Sequence, residues 1–192
     1  MALPLTTHQF RLQISRVDDS VYKDCALPAA QHPSETLEHL YLRVLAYALT
    51  FVDGVVLGPG LSDGDGADVW AHDLVGAVTL WVECGASDPK KTERVANQNS
   101  DARVGLLTCR KQRERDFVDE ARKQKVKRLA RIELIHIPQE ILDRLCENPQ
   151  RRSDWNVTVS DGHLYIVAIG VLLDAPLRRR SAAEAVAERV DS

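Results

Sequence analysis

The chain has 192 residues, 44% of them hydrophobic and 28% charged, with a formal net charge of −3 at pH 7. That length suits one domain with its own core, or one domain with a small appendage, and the charge balance excludes a generally basic nucleic-acid coat, so any such role must come from local clustering. Four cysteines, Cys25, Cys84, Cys109 and Cys146, stand far apart without a CxxC or Cys/His ladder, which argues against a disulfide framework or structural zinc and for a reducing compartment. The opening MALPLTTHQFRLQ turns polar too soon for a secretory segment. The longest apolar run, LYIVAIGVLL, has ten residues against the roughly 18 that a membrane span requires. A cytoplasmic protein without membrane partners is expected.

In chain order, THQFRLQISRV alternates Phe10, Leu12 and Ile14 with polar neighbours and predicts a half-buried strand; SVYKDCALPAA predicts a second strand that closes an N-terminal hairpin. Pro33 and Ser34 then open SETLEHLYLRVLAYALTFV, with Ser34 the expected N-cap. Leu37, Leu40, Tyr41, Val44, Leu45, Ala48, Leu49 and Val52 form one apolar stripe, which leaves Glu35, His39 and Arg43 on a solvated side and Glu38 at the stripe's margin. Residues 53–73 carry five aspartates and no Lys or Arg, punctuated by Gly and Pro, and predict a solvated acidic loop after a short VVL strand. The string DGDG fails the EF-hand pattern, because Ala67 stands at the third ligand position and no closing Glu follows.

The strand LVGAVTLWVEC comes next, then a helix opened by Ser87 or Asp88 with Pro89 in its first turn. ARVGLLTC predicts a short buried strand, followed by the helix ERDFVDEARKQ, the strand RIELIHI and the helix PQEILDRLCEN. DWNVTVSDGHLYIVAIG predicts a hairpin turned at Asp161–Gly162. The whole is expected to be a mixed α/β domain around one sheet, residues 1–177, with 178–192 a loosely ordered helical tail.

The phrases HPSETLEHLYLRVLAYAL, GLSDGDGADVW, DLVGAVTLWVECG and SDPKKTERVA resemble, in order and spacing, the YaeQ family of bacterial proteins, over residues 2–162; the remainder matches less well. The resemblance implies a restriction-endonuclease-like core of the PD-(D/E)XK type, an α+β mixed sheet that holds an Asp and a Glu or Asp around a divalent metal, with a lysine two residues beyond the second acid. Mapped onto this chain, the pattern implies Asp73 and Glu83 as ligands of magnesium or manganese. Gly85 stands where the lysine belongs, so Lys91 or Lys90, in the first turn of the following helix, is expected to reach back, with Arg94 as a further candidate. Glu38 is expected to assist from its helix margin.

Geometry bears on the pair: on one straight strand Asp73 and Glu83 would stand about 33 Å apart. They meet only if the chain turns, near Gly76, and Asp63, Asp65 or Asp68 could supply the first acid instead. The stretch RKQRERDFVDEARKQKVKRLAR, 110–131, holds ten Lys or Arg against four acids. It reads either as a solvated helix with pairs such as Arg115–Asp119, or as a phosphate-facing surface through Arg122, Lys123, Lys125, Lys127 and Arg128. A Cys84/His72 nucleophile pair is less attractive, since Cys84 falls on the strand face opposite Glu83; the scattered histidines make no zinc motif. Two functions are therefore expected to compete, a metal-dependent nuclease and a silent nucleic-acid- or protein-binding module on the same fold.

Overall fold

The computed structural model describes residues 5–60 and 66–189. Its central element is α1, Leu37–Leu49, in which every residue from 40 to 49 is buried. A helix with one apolar stripe would leave its other side in water. This one does not, because it lies between two sheets and touches strands of both. Its N-cap is Thr36, whose hydroxyl accepts from the His39 amide at 3.2 Å, and not Ser34, whose hydroxyl pairs with the His32 ring.

The first sheet joins the N-terminal strands to strands from residues 152–176. Strands β1 (Thr6–Arg16) and β2 (Val21–Gln31) form the expected N-terminal hairpin. Strands β8 (Arg152–Ser160), β9 (His163–Ala168) and β10 (Val171–Pro176) form an antiparallel meander, and β1 runs parallel to β8. Asp161 and Gly162 both have positive φ, as a type I′ turn requires. Inward residues alternate along β1 and β8, so Phe10 and Trp155 meet Tyr41 of α1, with Trp155 ring centroids 4.9 Å from Phe10 and 5.1 Å from Tyr41. This sheet corrects the single-sheet expectation.

The second sheet has the order β11-β7-β6-β5-β4-β3. Its members are β3 (Val56–Leu57), β4 (Val69–His72), β5 (Val78–Cys84), β6 (Arg103–Thr108), β7 (Ile132–His136) and β11 (Arg178–Ser181). Strands β5, β6 and β7 are parallel, linked by α2 (Pro89–Gln98) and α3 (Lys111–Lys123); the rest are antiparallel. Alternate residues of β6 and β7 serve opposite faces. Leu107 and Ile135 join the core around α1, whereas Leu106, Ile132 and Leu134 pack with Phe117 and Val118 of α3. Helix α4 (Gln139–Cys146) packs against α1.

The segment expected to be a loose tail is instead β11 and α5 (Ala182–Glu188), with residues 190–192 outside the described part. Helix α5 starts with a full capping box between Ser181 and Glu184, and Ala182 and Ala185 are buried against α3 and β7. Only small residues at these two positions let the helix seat so closely. Ala182→Asp, which forces a charge into that contact, should lower the unfolding free energy by at least about 2 kcal/mol in urea melts; a loosely attached tail would leave the melt unchanged.

Candidate functional site

Strands β4 and β5 form a hairpin, and its register decides which acids meet. Val69 pairs with Val82, Trp70 with Trp81 and Ala71 with Leu80. Just beyond the last of these pairs, Asp68 and Glu83 stand at the same end of the hairpin and line one cleft. Asp68 Oδ2 accepts from the Cys84 amide at 2.8 Å, which holds the residue against the end of β5.

Behind Asp68 lies a buried ion network anchored on α1. Arg43 is 0% exposed and Glu35 5%. Arg43 Nη1 donates to both Glu35 oxygens, at 2.9 and 3.1 Å, and Nη2 donates to the Gly58 carbonyl. Arg43 Nε faces Asp68 Oδ1 at 3.3 Å as an ion pair, without the alignment of a hydrogen bond. Gly60 is needed here: a Cβ would stand 2.7 Å from Arg43 Nη1, and its φ is +70°. Glu35 Oε1 also pairs with His39 Nδ1 at 2.8 Å. Residues expected to be solvated thus form the interior of the site, because the second sheet covers the helix face that polarity had assigned to water.

These groups hold each other's charge. Burial pushes the Asp68 carboxyl up, and neighbouring Glu83 adds to this against the pull of His39 and Arg43. Burial alone would lower the His39 imidazole, but the Glu35 hydrogen bond and the Asp68 and Glu35 charges outweigh it and raise its pKa. Burial would raise Glu35, and its bonds from His39 and Arg43 bring it below the ordinary carboxylate value.

In front of Asp68 is a cleft of about 530 Å³, lined by Glu38, His39, Asp68, Glu83, Lys91 and Arg110 among others. Helix α2 is capped by Asp88 with Pro89 at its first position, and this aims Lys91 at Glu83. Lys91 Nζ stands 2.9 Å from Glu83 Oε1, bonds the Gly66 carbonyl at 3.2 Å and lies 5.7 Å from the Trp81 ring centroid. Trp81 Nε1 donates to the same Glu83 oxygen at 3.2 Å. Across the cleft, Arg110 Nη2 grips both oxygens of Glu38 at 3.0 Å. Glu38, Glu83 and Lys91 therefore share one cleft.

Asp73 does not join them. It is exposed in the β4–β5 turn, where its Oδ1 accepts from the amides of Val75 and Ala77 at 3.0 and 2.8 Å. The length of β5, on the order of 20 Å, separates it from Glu83. Its carboxylate shapes the turn, and Asp68 takes the place beside Glu83. Asp63 and Asp65 lie outside the described residues. Lys90 pairs with Glu93 and Arg94 is exposed. Cys84 is buried, and burial pushes its thiol well above the ordinary value, so it stays protonated; His72 is exposed, its ring tilted against Trp70. Among the described residues no group of three or more His, Cys, Asp or Glu is arranged to hold a metal, and no helix is long and apolar enough to cross a membrane.

Arg122, Lys123, Lys125, Lys127 and Arg128 are exposed at the C-terminal end of α3 and just beyond it. The expected helix pairs do not form: Asp119 bonds Arg189, and Asp116 accepts from Gln112.

The sequence matches the YaeQ protein family over residues 1–171. The chain belongs to the YaeQ family. It is similar to the uncharacterized YaeQ protein of Salmonella typhi, 26% identical over 166 residues, which covers 86% of this chain and 90% of that one. The Escherichia coli K12 YaeQ protein is 25% identical over the same shares. Among solved structures, the YaeQ protein of Xanthomonas axonopodis pv. citri superposes with a TM-score of 0.82 at 27% identity, covering 93% of this chain and 99% of that one. The Pseudomonas syringae YaeQ protein gives 0.81 at 27% identity, over 94% and 98%. The two-sheet arrangement around α1 is thus a YaeQ fold seen in crystals.

Two outcomes follow for this YaeQ site. Arg43→Met strands Glu35 and Asp68 in the interior and should cost about 3–5 kcal/mol in urea melts. His39→Gln tests the coupled pair in chelator-treated protein. Because the folded His39 pKa lies above its unfolded value of about 6.5, the imidazolium's contribution is fully present below that pH and fades as pH rises through the folded value. The stability deficit of His39→Gln should therefore be largest near pH 6 and shrink on going alkaline; a deficit that grows with pH would overturn the assignment.

Proposed function

We propose that this protein hydrolyses phosphodiester bonds with a divalent ion, magnesium or manganese, held by Asp68 and Glu83. The observation that carries the reading is the register of β4 and β5, which brings these two acids together in one cleft, with Lys91 Nζ 2.9 Å from Glu83. The residues fit such an ion. Two carboxylates offer hard oxygen ligands, and a magnesium-sized cation keeps several waters and takes further oxygens from phosphate instead of needing a full protein cage. When bound, the ion would polarise a phosphoryl oxygen and make its water a stronger nucleophile.

The remaining tasks fall to the chain. Lys91, from α2, stands in for the lysine two residues past Glu83, where this sequence has Gly85. Its ammonium orients the attacking water or offsets phosphate charge, and Trp81 on the same Glu83 oxygen keeps the carboxylate from swinging toward solvent. Glu38, fixed in both oxygens by Arg110, presents an acceptor at the cleft rim. Arg113, also lining the cleft, adds positive charge for the phosphate. The succession α1, β3, β4, β5, α2, β6 around these acids is the part read as restriction-endonuclease-like.

A second reading, a silent module that binds nucleic acid or protein, is favoured by one observation. Lys91 pairs with Glu83, and Arg43 and the Cys84 amide engage Asp68, so both acids have partners without any metal. In that reading Arg122, Lys123, Lys125, Lys127 and Arg128 are the phosphate-facing surface.

Cleavage of supercoiled plasmid, single-stranded DNA and RNA, in manganese and in chelator, decides between them. The hydrolase reading expects manganese-dependent cleavage that falls at least about 100-fold in Asp68→Asn, Glu83→Gln and Lys91→Gln, while Asp73→Asn cleaves like wild type. Absence of metal-dependent cleavage on all three substrates, or equal cleavage by Glu83→Gln, ends it.

A further inference from the structure

The acid cleft does not stop at Arg110. Cys109 and Arg110 also line a neighbouring depression of about 500 Å³ that reaches Lys111, His136 and Arg178. Those last three in turn line a third hollow of about 610 Å³ between α3, β7, β11 and α5. Residues shared between neighbours set the three hollows edge to edge in one row, a groove that starts at Asp68 and Glu83 and follows the N-terminal half of α3.

The charge along this groove is one-sided. Its acids are largely occupied: Glu38 by Arg110, and Glu114 and Glu188 both by Arg180. Asp119, on the outer side of α3, binds Arg189, and Glu133 binds Arg179 and Arg103. Lys111, Arg113, Arg115 and Arg178 line the groove, are exposed, and have no ion-pair partner among the described residues. Glu140, on the wall of the middle hollow, is the one acid there outside an ion pair among the described residues. Lys111 and Arg115 are one helical turn apart and present to the same side, with Arg178 of β11 facing them across the hollow.

We infer that this groove is the track along which a polynucleotide lays its phosphate backbone to reach the acid cleft, with Lys111, Arg113, Arg115 and Arg178 as the phosphate contacts. Its direction rests on the hydrolase reading, whereas the binding needs no metal. A polynucleotide fits better than a small phosphate ester because the unpaired cations continue through two further hollows beyond the acids. No Phe, Tyr or Trp lines those two hollows, so the contacts are electrostatic and tolerant of sequence. The other basic segment is elsewhere: Arg122 lies about 17 Å along the axis of α3 from Lys111 and lines none of the three hollows.

The test is fluorescence anisotropy with labelled single-stranded DNA and RNA 20-mers, in chelator so that nothing is cleaved, across a salt series. The triple variant Lys111→Gln/Arg115→Gln/Arg178→Gln should bind at least about tenfold more weakly near 100 mM salt and flatten the log–log salt slope by about 2, at roughly 0.7 per lost contact on a single strand. Lys123→Gln/Lys125→Gln/Lys127→Gln should stay within about twofold of wild type, and all variants should share the wild-type melting profile. The track is refuted by a wild type that binds neither probe at 50 mM salt, by unchanged binding in the groove variant, or by an equal loss in the 123–127 variant. Loss of binding in the groove variant alone, with no cleavage by wild type in manganese, removes the hydrolase reading and leaves the track standing. Cleavage by wild type with undiminished binding by the groove variant does the reverse.

Discussion

The arrangement depends on one buried guanidinium. Arg43 has no surface exposed to bulk solvent, and an ion in that position is tolerable only if nearly every donor meets an acceptor. Arg43 meets this by gathering parts that are remote in sequence: Glu35 before α1, Gly58 after β3, and Asp68 before β4, with the Ala30 carbonyl of β2 at 3.4 Å. The planar fork of donors fixes directions as well as distances, which a lysine at the same place could not do. Asp68 is thereby held against the end of β5 before any ligand arrives, and the first of the two cleft acids owes its position to a side chain that itself lies outside the cleft.

That dependence explains why α1 is enclosed. A helix carrying a buried ion pair needs low-mobility neighbours on all sides, and the first sheet supplies them through Phe10, Trp155 and their contacts with Tyr41. The first sheet contributes no residue to the cleft, yet it closes the side of α1 through which water would otherwise reach Arg43. The second sheet performs the opposite task. Its parallel centre ends its strands at a common edge, where Glu83, Cys109 and the start of α3 come together. One helix therefore separates a supporting layer from a layer that presents charge.

Much of this was readable in the sequence wherever the signal is local. The apolar spacing of α1, the Asp88–Pro89 start of α2 and the Asp161–Gly162 turn each follow from chemistry within a few residues. What was not readable is long-range. The parallel pairing of β1 with β8 joins positions more than 140 residues apart, and no period in either strand announces its partner. Without it the presence of two sheets is invisible, and with it goes the enclosure of α1 between them that buries Arg43 and Glu35; polarity alone assigns both to solvent. The exchange of Asp73 for Asp68 is different, because its signal was present. A turn near Gly76 folds position 83 back towards 68 or 69, and the observed register, with Val69 opposite Val82, ends one residue short of Asp68 and Glu83. Asp73 misleads because an aspartate that caps a turn and one that sits in a cleft look alike until the turn is placed.

Lys91 reaches Glu83 from a neighbouring helix and not from the strand that carries the acid. A residue two places beyond Glu83 would share its strand face and take its place from the pleat. Lys91 takes its place from the seating of α2, whose buried Thr92 bonds Ser87 and the Asp88 carbonyl at the helix start. The ammonium is then bracketed by Glu83, the Gly66 carbonyl and the Trp81 ring. Gly66 belongs to the chain that leads into Asp68, so the same nitrogen links both sides of the acid pair. A strand-borne lysine would fix the cation to one acid only. A lysine on the helix has its placement tied to α2 docking and to the loop before β4 together, so the two acids and the cation are set as one unit by the contacts between β4, β5 and α2.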